Sequence, residues 1–378
     1  MSTTGDRPHG LSIPEFEGML RQAVDQRSRA YSFVSSLSLC WENDQTNAKE
    51  DCEKFRDIVH LFGFPTPEQY VISIQDRTPG WTLHSKVSTM IQQGLDAPGR
   101  ALLLLHYAGH GVERDGKLFF TSENGRSFSV MFLLALADGD CDLLSPDSEI
   151  DIVFIFDSCF SHVATRNMVN AERIVEVLAA TSPNSPLANA AQGRASFTGK
   201  LRNEILYRKG QGHKSVELAE IMDTLITKSP QVIPSYKLLV GVHSLRLELP
   251  GGSVSTVVPP SVVEPQYFAV FSVYVAQSLS ASGLATLVEW IHSLPRNVGL
   301  ELDNAYETSS MLFIFRASRY IFLKLNGVNN VTLLGYSWVP NLVSQIPRIE
   351  APDAASKQKE NLPPLLLGAA RKRHRTDF

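Results

Sequence analysis

Two strand-like apolar runs in this chain end in side chains suited to nucleophilic chemistry. The stretch ALLLLHYAGHG (101–111) sets His110 between two glycines, and IDIVFIFDSCFS (150–161) leads into Cys159. Glycine neighbours let the backbone approach another group closely, a setting unlike that of an ordinary core histidine. A thiol is a weak nucleophile while protonated. A nearby imidazole favours the thiolate and can then protonate a leaving amine, so the two residues predict acyl transfer by a cysteine nucleophile.

That chemistry requires both side chains at one edge of a sheet. In a parallel α/β sheet, ligands gather beyond the carboxyl ends of the strands. We therefore expect His110 and Cys159 to share an edge if their strands are parallel and close together. The acyl-transfer transition state also needs hydrogen-bond donors for its oxyanion. The backbone N–H groups of Gly111 and Cys159 are the candidates.

Apolar runs alternate with helical patterns over about the first 245 residues. The runs that predict strands are 31–39, 70–74, 101–108, 150–156, 174–180 and 236–242. The patterns that predict helices are 13–30, 46–64, 81–95, 196–207 and 214–227. Near-continuous apolar strands between helices favour a mostly parallel six-stranded sheet covered on both faces.

Composition and charge narrow the function classes. The 378 residues are 43% hydrophobic, with a formal net charge of −4, which gives no reason to expect a nucleic acid or an anionic membrane as partner. The sequence holds no run of 18 apolar residues, and its first residues lack the pattern of a secretory signal. Four cysteines without CxxC spacing predict a reducing, cytosolic setting and no metal framework. The basic stretch RKRHR (371–375) is a candidate nuclear address.

The combination of YAGHG and DSCFS resembles the caspase-like cysteine peptidases (caspase/hemoglobinase fold), and within them the metacaspases. The histidine and cysteine are 49 residues apart, close to the roughly 50 residues of the caspase pair. The resemblance covers about residues 30–245. It implies a caspase-like α/β/α sandwich around the six-stranded sheet, and proteolysis in stress or programmed cell death.

The resemblance also assigns roles to residues. His110 is implied as the general base and acid, and Cys159 as the nucleophile. The amides of Gly111 and Cys159 would form the oxyanion hole. Asp157 would sit in the specificity pocket, with Asp51 of the first helix as its partner. Two carboxylates in a recessed pocket select a cation, so cleavage after Arg or Lys is expected.

The chain departs from the family pattern at several positions. His162 stands where the family usually has glycine, and Ala108 and Ala48 replace a serine and a cysteine of many relatives. Arg166 and Arg173 lie after the nucleophile, where relatives often process themselves. The other reading is that both arginines only make a loop more soluble.

Several other assignments remain open. Asp51 is alternatively a solvated helix residue, and Asp157 a helix N-cap. Asp138, Asp140 and Asp142 form an acidic cluster without the spacing of a calcium loop, so no metal site is predicted and calcium control stays open.

The domain organisation follows from shifts in composition. Residues 266–346 look like a small C-terminal α+β domain, and the resemblance suggests the accessory region of some fungal caspase-like proteins. The predicted parts are an N-terminal extension with a helix (1–29), the peptidase domain (30–248), a Pro/Gly/Ser-rich linker (249–265), the small domain (266–346) and a disordered basic tail (347–378).

Two functions compete for this chain. The first is a metacaspase-type endopeptidase acting on protein or peptide substrates, expected to be a monomer that needs no cofactor for its chemistry. The second is a catalytically silent caspase-like module that binds a protein partner through residues 266–346. An unrelated thiol hydrolase would need a GxCxG-type elbow that the sequence lacks.

Overall fold

Strands and helices alternate along the chain in the computed structural model, which describes residues 10–25, 28–138, 144–145, 147–161, 173–188, 196–251, 267–295, 298–307 and 310–338. The strands in these ranges are β1 (Phe33–Trp41), β2 (Glu68–Ile72), β3 (Ala101–Ala108), β4 (His110–Arg114), β5 (Lys117–Thr121), β6 (Ser127–Ser129), β7 (Ile150–Asp157), β8 (Val175–Ala179), β9 (Ser215–Glu217), β10 (Ser235–Val240), β11 (Arg246–Glu248), β12 (Phe268–Val275), β13 (Glu301–Glu307), β14 (Met311–Ser318) and β15 (Val331–Ser337). The helices are α1 (Ile13–Val24), α2 (Ala48–Leu61), α3 (Pro79–Asp96), α4 (Met131–Asp138), α5 (Phe197–Gly210), α6 (Leu218–Lys228), α7 (Ala281–Ser293) and α8 (Arg319–Leu325).

The central sheet has six strands in the order β10-β8-β7-β3-β1-β2. All neighbouring pairs are parallel except β10 with β8, which is antiparallel. Every residue of β3 and β7 is buried, as expected for strands covered on both faces. The predicted mostly parallel six-stranded sheet is confirmed.

Helices cover the sheet on both sides. On β3, Leu103 and Leu105 pack into one core with α3 and α4, because alternate side chains of a strand point to opposite faces. Leu102 and Leu104 point the other way and join a second core with α2, α5 and α6. The α/β/α sandwich is therefore present.

A small antiparallel sheet, β4-β5-β6, follows the central strand β3 and was not predicted. Its first hairpin turns at Asp115 and Gly116, both with positive φ (50° and 69°). An Asp-Gly pair with this backbone is typical of a tight two-residue hairpin. The hairpin folds the chain back beside His110.

The C-terminal part contains a four-stranded antiparallel sheet in the order β13-β14-β12-β15. Helix α1 packs on this sheet, and the rings of Phe16 and Phe313 stack with centroids 5.0 Å apart. Leu11 also forms a bridge to Val275. The N-terminal helix thus shares a core with the C-terminal sheet, whereas the predicted division separates 1–29 from 266–346. That division stays a prediction.

Several predicted boundaries need correction. The first helix ends at Val24, not at residue 30, and the second strand is 68–72, not 70–74. The segment predicted as helix 214–227 begins with the short strand β9. Among the described helices, none is both long and apolar enough to cross a membrane. Much of the predicted linker and all of the predicted tail lie outside the described residues.

Candidate active site

The central sheet brings the two predicted reactive residues to one edge. Strands β3 and β7 are parallel neighbours, and Ala108 lies opposite Asp157 at their carboxyl ends. The backbone N–H of Gly109 donates to the Asp157 carbonyl over 3.2 Å. His110 and Cys159 each follow that last pair by two residues. Their placement at one sheet edge is confirmed.

The backbone after the histidine is packed against the turn that carries the cysteine. A Cβ atom added at Gly111 would lie 2.2 Å from the Cys159 carbonyl oxygen and 2.9 Å from Ser158 Oγ. No side chain fits at such a distance, and a backbone oxygen cannot move aside as a flexible side chain does. Glycine is therefore required at position 111.

His110 forms hydrogen bonds both at its backbone and at its imidazole ring. The Tyr107 hydroxyl donates to the His110 carbonyl oxygen over 2.8 Å, and the Tyr107 ring stacks on Phe120. The imidazole Nε2 lies 2.8 Å from Glu123 Oε1. The sequence analysis did not single out Glu123. The Asp-Gly turn could have revealed it, because that turn sets the hairpin register.

Cys159 lies in a tight turn directly after β7. The next residue, Phe160, has a φ of +57°, which is strained for a bulky side chain, and its N–H donates to the Pro186 carbonyl over 2.7 Å. The N–H of Ala188 donates to the half-buried Cys159 Sγ over 3.3 Å. Within the part of the chain that the structure describes, the Cys159 amide has no acceptor, as an oxyanion donor requires. His162, which the resemblance singled out as a departure from the family, lies outside the described residues.

The N-terminus of helix α5 brings the two predicted pocket carboxylates together. Asp157 Oδ2 accepts hydrogen bonds from the Thr198 N–H and hydroxyl, each over 2.8 Å. Asp51 accepts a hydrogen bond from the Ser196 hydroxyl. Burial raises the pKa of Asp157 to about 6. The neighbouring Asp51 charge acts in the same direction, and the Thr198 bonds oppose both.

A chain of buried hydrogen bonds connects Asp157 to the interior of the central sheet. Because the Thr198 hydroxyl donates to Asp157, it accepts from His106 Nε2, 3.0 Å away. The other ring nitrogen, Nδ1, lies 2.9 Å from Ser38 Oγ and accepts a hydrogen bond from that hydroxyl. The sequence analysis missed His106, although a polar residue within a fully buried apolar strand was the available clue.

A cavity of about 10 Å³, room for a single water molecule, lies at Asp157. Its lining is Asp157, Ala180, Ala188, Phe197, Lys200, Val232 and Pro234. Ala188 both lines the cavity and donates to Cys159, so the cavity adjoins the nucleophile. Asp51 is already paired with a cation of the chain, since Lys54 Nζ lies 3.0 Å from Asp51 Oδ1.

The remaining predicted site residues fall elsewhere. Arg173 is only 1% exposed and donates to the Ala137 carbonyl, so the folded chain does not present it for self-cleavage. Arg166 lies outside the described residues.

The predicted acidic cluster cannot be placed. Asp140, Asp142 and the side chain of Asp138 also lie outside the described part. Among the residues that the structure does describe, no group of three or more histidine, cysteine or acidic side chains could hold a metal ion.

An α/β/α sandwich with histidine and cysteine at the ends of neighbouring strands is the layout of a class of cysteine hydrolases. The family model described as "Caspase domain" (Peptidase_C14) matches residues 40–236, which is more than half of the chain. The chain belongs to the caspase domain family of cysteine peptidases.

Solved structures give more distant matches. The Drosophila initiator caspase Dronc is 14% identical with a TM-score of 0.40, over 60% of this chain and 87% of its own. Caspase-1 from Spodoptera frugiperda is 12% identical with a TM-score of 0.39, over 59% and 94%. The structure of drICE is 11% identical with a TM-score of 0.36, over 59% and 93%. No curated protein matches the sequence.

The close approach at Gly111 yields a prediction. We expect Gly111→Ala to displace the turn that carries Cys159, and so to abolish alkylation of this thiol by iodoacetamide. The control is Gly18→Ala on helix α1, where an added Cβ meets nothing within 4 Å. Peptide mapping by mass spectrometry measures the alkylation. Wild-type reactivity of Cys159 in Gly111→Ala would show that the contact does not position the thiol.

Proposed function

We propose that this chain is a cysteine endopeptidase of metacaspase type that cleaves after Arg or Lys with a His110–Cys159 dyad. The single observation that carries this proposal is the sheet edge itself. There a histidine and a cysteine follow neighbouring parallel strands, beside a cavity that Asp157 lines. The caspase domain family match supports the reaction class.

The dyad has the parts that peptide hydrolysis needs. His110 takes the Cys159 proton as the sulfur attacks the substrate carbonyl carbon, and then gives that proton to the leaving amine. The Cys159 amide, which has no acceptor among the described residues, is the donor that we assign to the oxyanion. All these groups come from the chain, so the proposal needs no cofactor for the chemistry.

The preference for a basic residue rests mainly on Asp157. Its carboxylate lines the cavity, and the cation of a substrate Arg or Lys side chain that reached it would pair with it. Asp51 adds negative charge nearby, but Lys54 offsets part of that charge. Lys200 also lines the cavity, and its ammonium donates to Ser229 Oγ over 3.1 Å.

The second candidate is the catalytically silent module, and the exposed apolar side chains at the two edges of the C-terminal sheet favour it. Large apolar side chains there are exposed on both edge strands and just beyond them. They are Tyr306, Leu333, Leu334, Tyr336 and Trp338. Exposed apolar side chains of this size are typical of protein–protein contact, so residues 266–346 would bind a partner.

Fluorogenic peptides that end in Arg, Lys or Asp test the proposal. We expect turnover of the Arg and Lys peptides, complete loss in Cys159→Ala, and retention in Cys40→Ala, whose cysteine is buried away from the cavity lining. Assays with and without millimolar calcium test the open question of calcium control. Turnover of Asp peptides alone would contradict the assigned pocket, and folded protein without any turnover would favour the silent module.

The raised pKa of Asp157 predicts a pH dependence of substrate binding. Above about pH 6 the carboxylate is charged and can bind a cation, and below it the group takes a proton. We therefore expect the KM for Arg peptides to rise as the pH falls through about 6. In Asp157→Asn, KM should be high and independent of pH in this range. A wild-type KM that stays constant through pH 6 would contradict the role of Asp157.

The raised pKa of Asp157 also makes the free energy of unfolding depend on pH. A higher pH favours cation binding by Asp157, but it lowers the contribution of this group to stability. Between the ordinary aspartate pKa of about 3.9 and the folded value of about 6, the folded chain binds more protons than the unfolded chain. The contribution of Asp157 to the free energy of unfolding therefore falls as the pH rises through this window. Thermal unfolding of wild type and Asp157→Asn at several pH values measures it, and identical pH profiles would contradict it.

A further inference from the structure

The hairpin β4–β5 places an acidic residue against the proposed base. His110 lies opposite Thr121 in the ladder, and Glu123 is two residues beyond Thr121. Strand β5 ends at Thr121, and Glu123 lies in the turn that follows, which brings its side chain to His110. Their Nε2 and Oε1 atoms are 2.8 Å apart, within hydrogen-bond distance.

The turn that carries Glu123 is braced by its own hydrogen bonds. The Ser122 N–H donates to the Arg126 carbonyl over 2.8 Å, and the Gly125 N–H donates to the Ser122 carbonyl over 3.0 Å. The side chain of Asn43, at the carboxyl end of β1, donates to the Asn124 side chain over 2.8 Å. The backbone of the turn that carries Glu123 is therefore held near the sheet edge on which His110 lies.

We propose that Glu123 is a positioning residue that orients the His110 imidazole for proton transfer with Cys159. A carboxylate only accepts hydrogen bonds, so Nε2 carries a hydrogen and Nδ1 keeps its lone pair. When Nδ1 takes up a proton, the ring becomes an imidazolium, and the negative charge of Glu123 stabilises it through a charge-assisted hydrogen bond. This role deepens the proposed peptidase function and rests on it.

The proton balance of the reaction follows from that orientation. Nδ1 takes the Sγ proton as sulfur bonds to the substrate carbonyl carbon, and it gives the proton to the amide nitrogen as the C–N bond breaks. A water molecule then gives a proton to Nδ1 as its oxygen attacks the thioester. That proton returns to sulfur as the C–S bond breaks. Throughout both steps Glu123 keeps its hydrogen bond to Nε2 and transfers no proton.

A purely structural role predicts a different outcome. The side chains of His110 and Glu123 are 40% and 34% exposed, and exposed ion pairs contribute little to stability. Variants of Glu123 should therefore fold and melt like the wild type. A fall in kcat without a change in melting temperature then reports on proton transfer and not on unfolding.

Three variants test the proposal with Arg peptides. We expect Glu123→Ala to lower kcat by about 10- to 100-fold with KM within about twofold, a part of the full acid–base contribution. Glu123→Gln should fall between Ala and wild type, because its carbonyl oxygen still accepts from Nε2 but carries no charge. The control is Glu113→Gln, an exposed residue of the same hairpin, and should match wild type. Unchanged or increased kcat in Glu123→Ala would overturn the proposal.

Alkylation of Cys159 by iodoacetamide separates this proposal from the peptidase proposal, because the reagent needs no specificity pocket. We expect Glu123→Ala to slow alkylation toward the rate of His110→Ala. If the chain cleaves no peptide but alkylation depends on Glu123, the peptidase function fails and the positioning role stands. If peptides are cleaved and alkylation and kcat are unchanged in Glu123→Ala, only the positioning role fails. If neither turnover nor Glu123-dependent alkylation is found, both fail.

Discussion

The parallel pairing of β3 with β7 is the constraint on which the rest of the site depends. Eight consecutive residue pairs fix the register from Ala101 opposite Ile150 to Ala108 opposite Asp157. A slip of one residue would turn every buried side chain to the other face and separate the two strand ends. With the register held, the histidine and the cysteine leave the sheet at the same level, and the backbone at Gly111 contacts the Cys159 turn.

Near that edge, hydrogen bonds join the buried polar groups of the site to one another. The N-terminus of α5 holds Asp157 and Asp51, and His106 links Thr198 to Ser38 through the sheet. A buried carboxylate is costly without hydrogen bonds, so these donors are what allow two acidic groups to lie close together. Burial, and after it the nearby charge of Asp51, raises the pKa of Asp157. The proposed pocket is thus acidic but partly offset by the chain's own lysines.

The sequence was informative where physical periodicity was strong. Runs such as ALLLLHYA and IDIVFIF are too apolar to be anything but buried strands, and their ends located His110 and Cys159 correctly at one edge. The sequence was less informative where contacts between distant parts of the chain determine the position of a residue or helix. Glu123 is brought to His110 by a hairpin register, and helix α1 is placed on the C-terminal sheet by the packing of Phe16 on Phe313. The Asp-Gly turn marks the hairpin in the sequence, but no local pattern places α1 on the C-terminal sheet. The burial of Arg173 likewise depends on its partner at Ala137 and not on its neighbours in the chain.

Covalent trapping with peptidyl chloromethyl ketones tests the His110–Cys159 site and its pocket directly, since the thiol displaces chloride much faster when the peptide is held beside it. Two reagents that differ only in a final Arg or Asp would be incubated with the folded full-length chain, and the adducts mapped by mass spectrometry. We expect a single adduct on Cys159 that forms faster with the Arg reagent. An unmodified Cys159, or faster labelling by the Asp reagent, would contradict it.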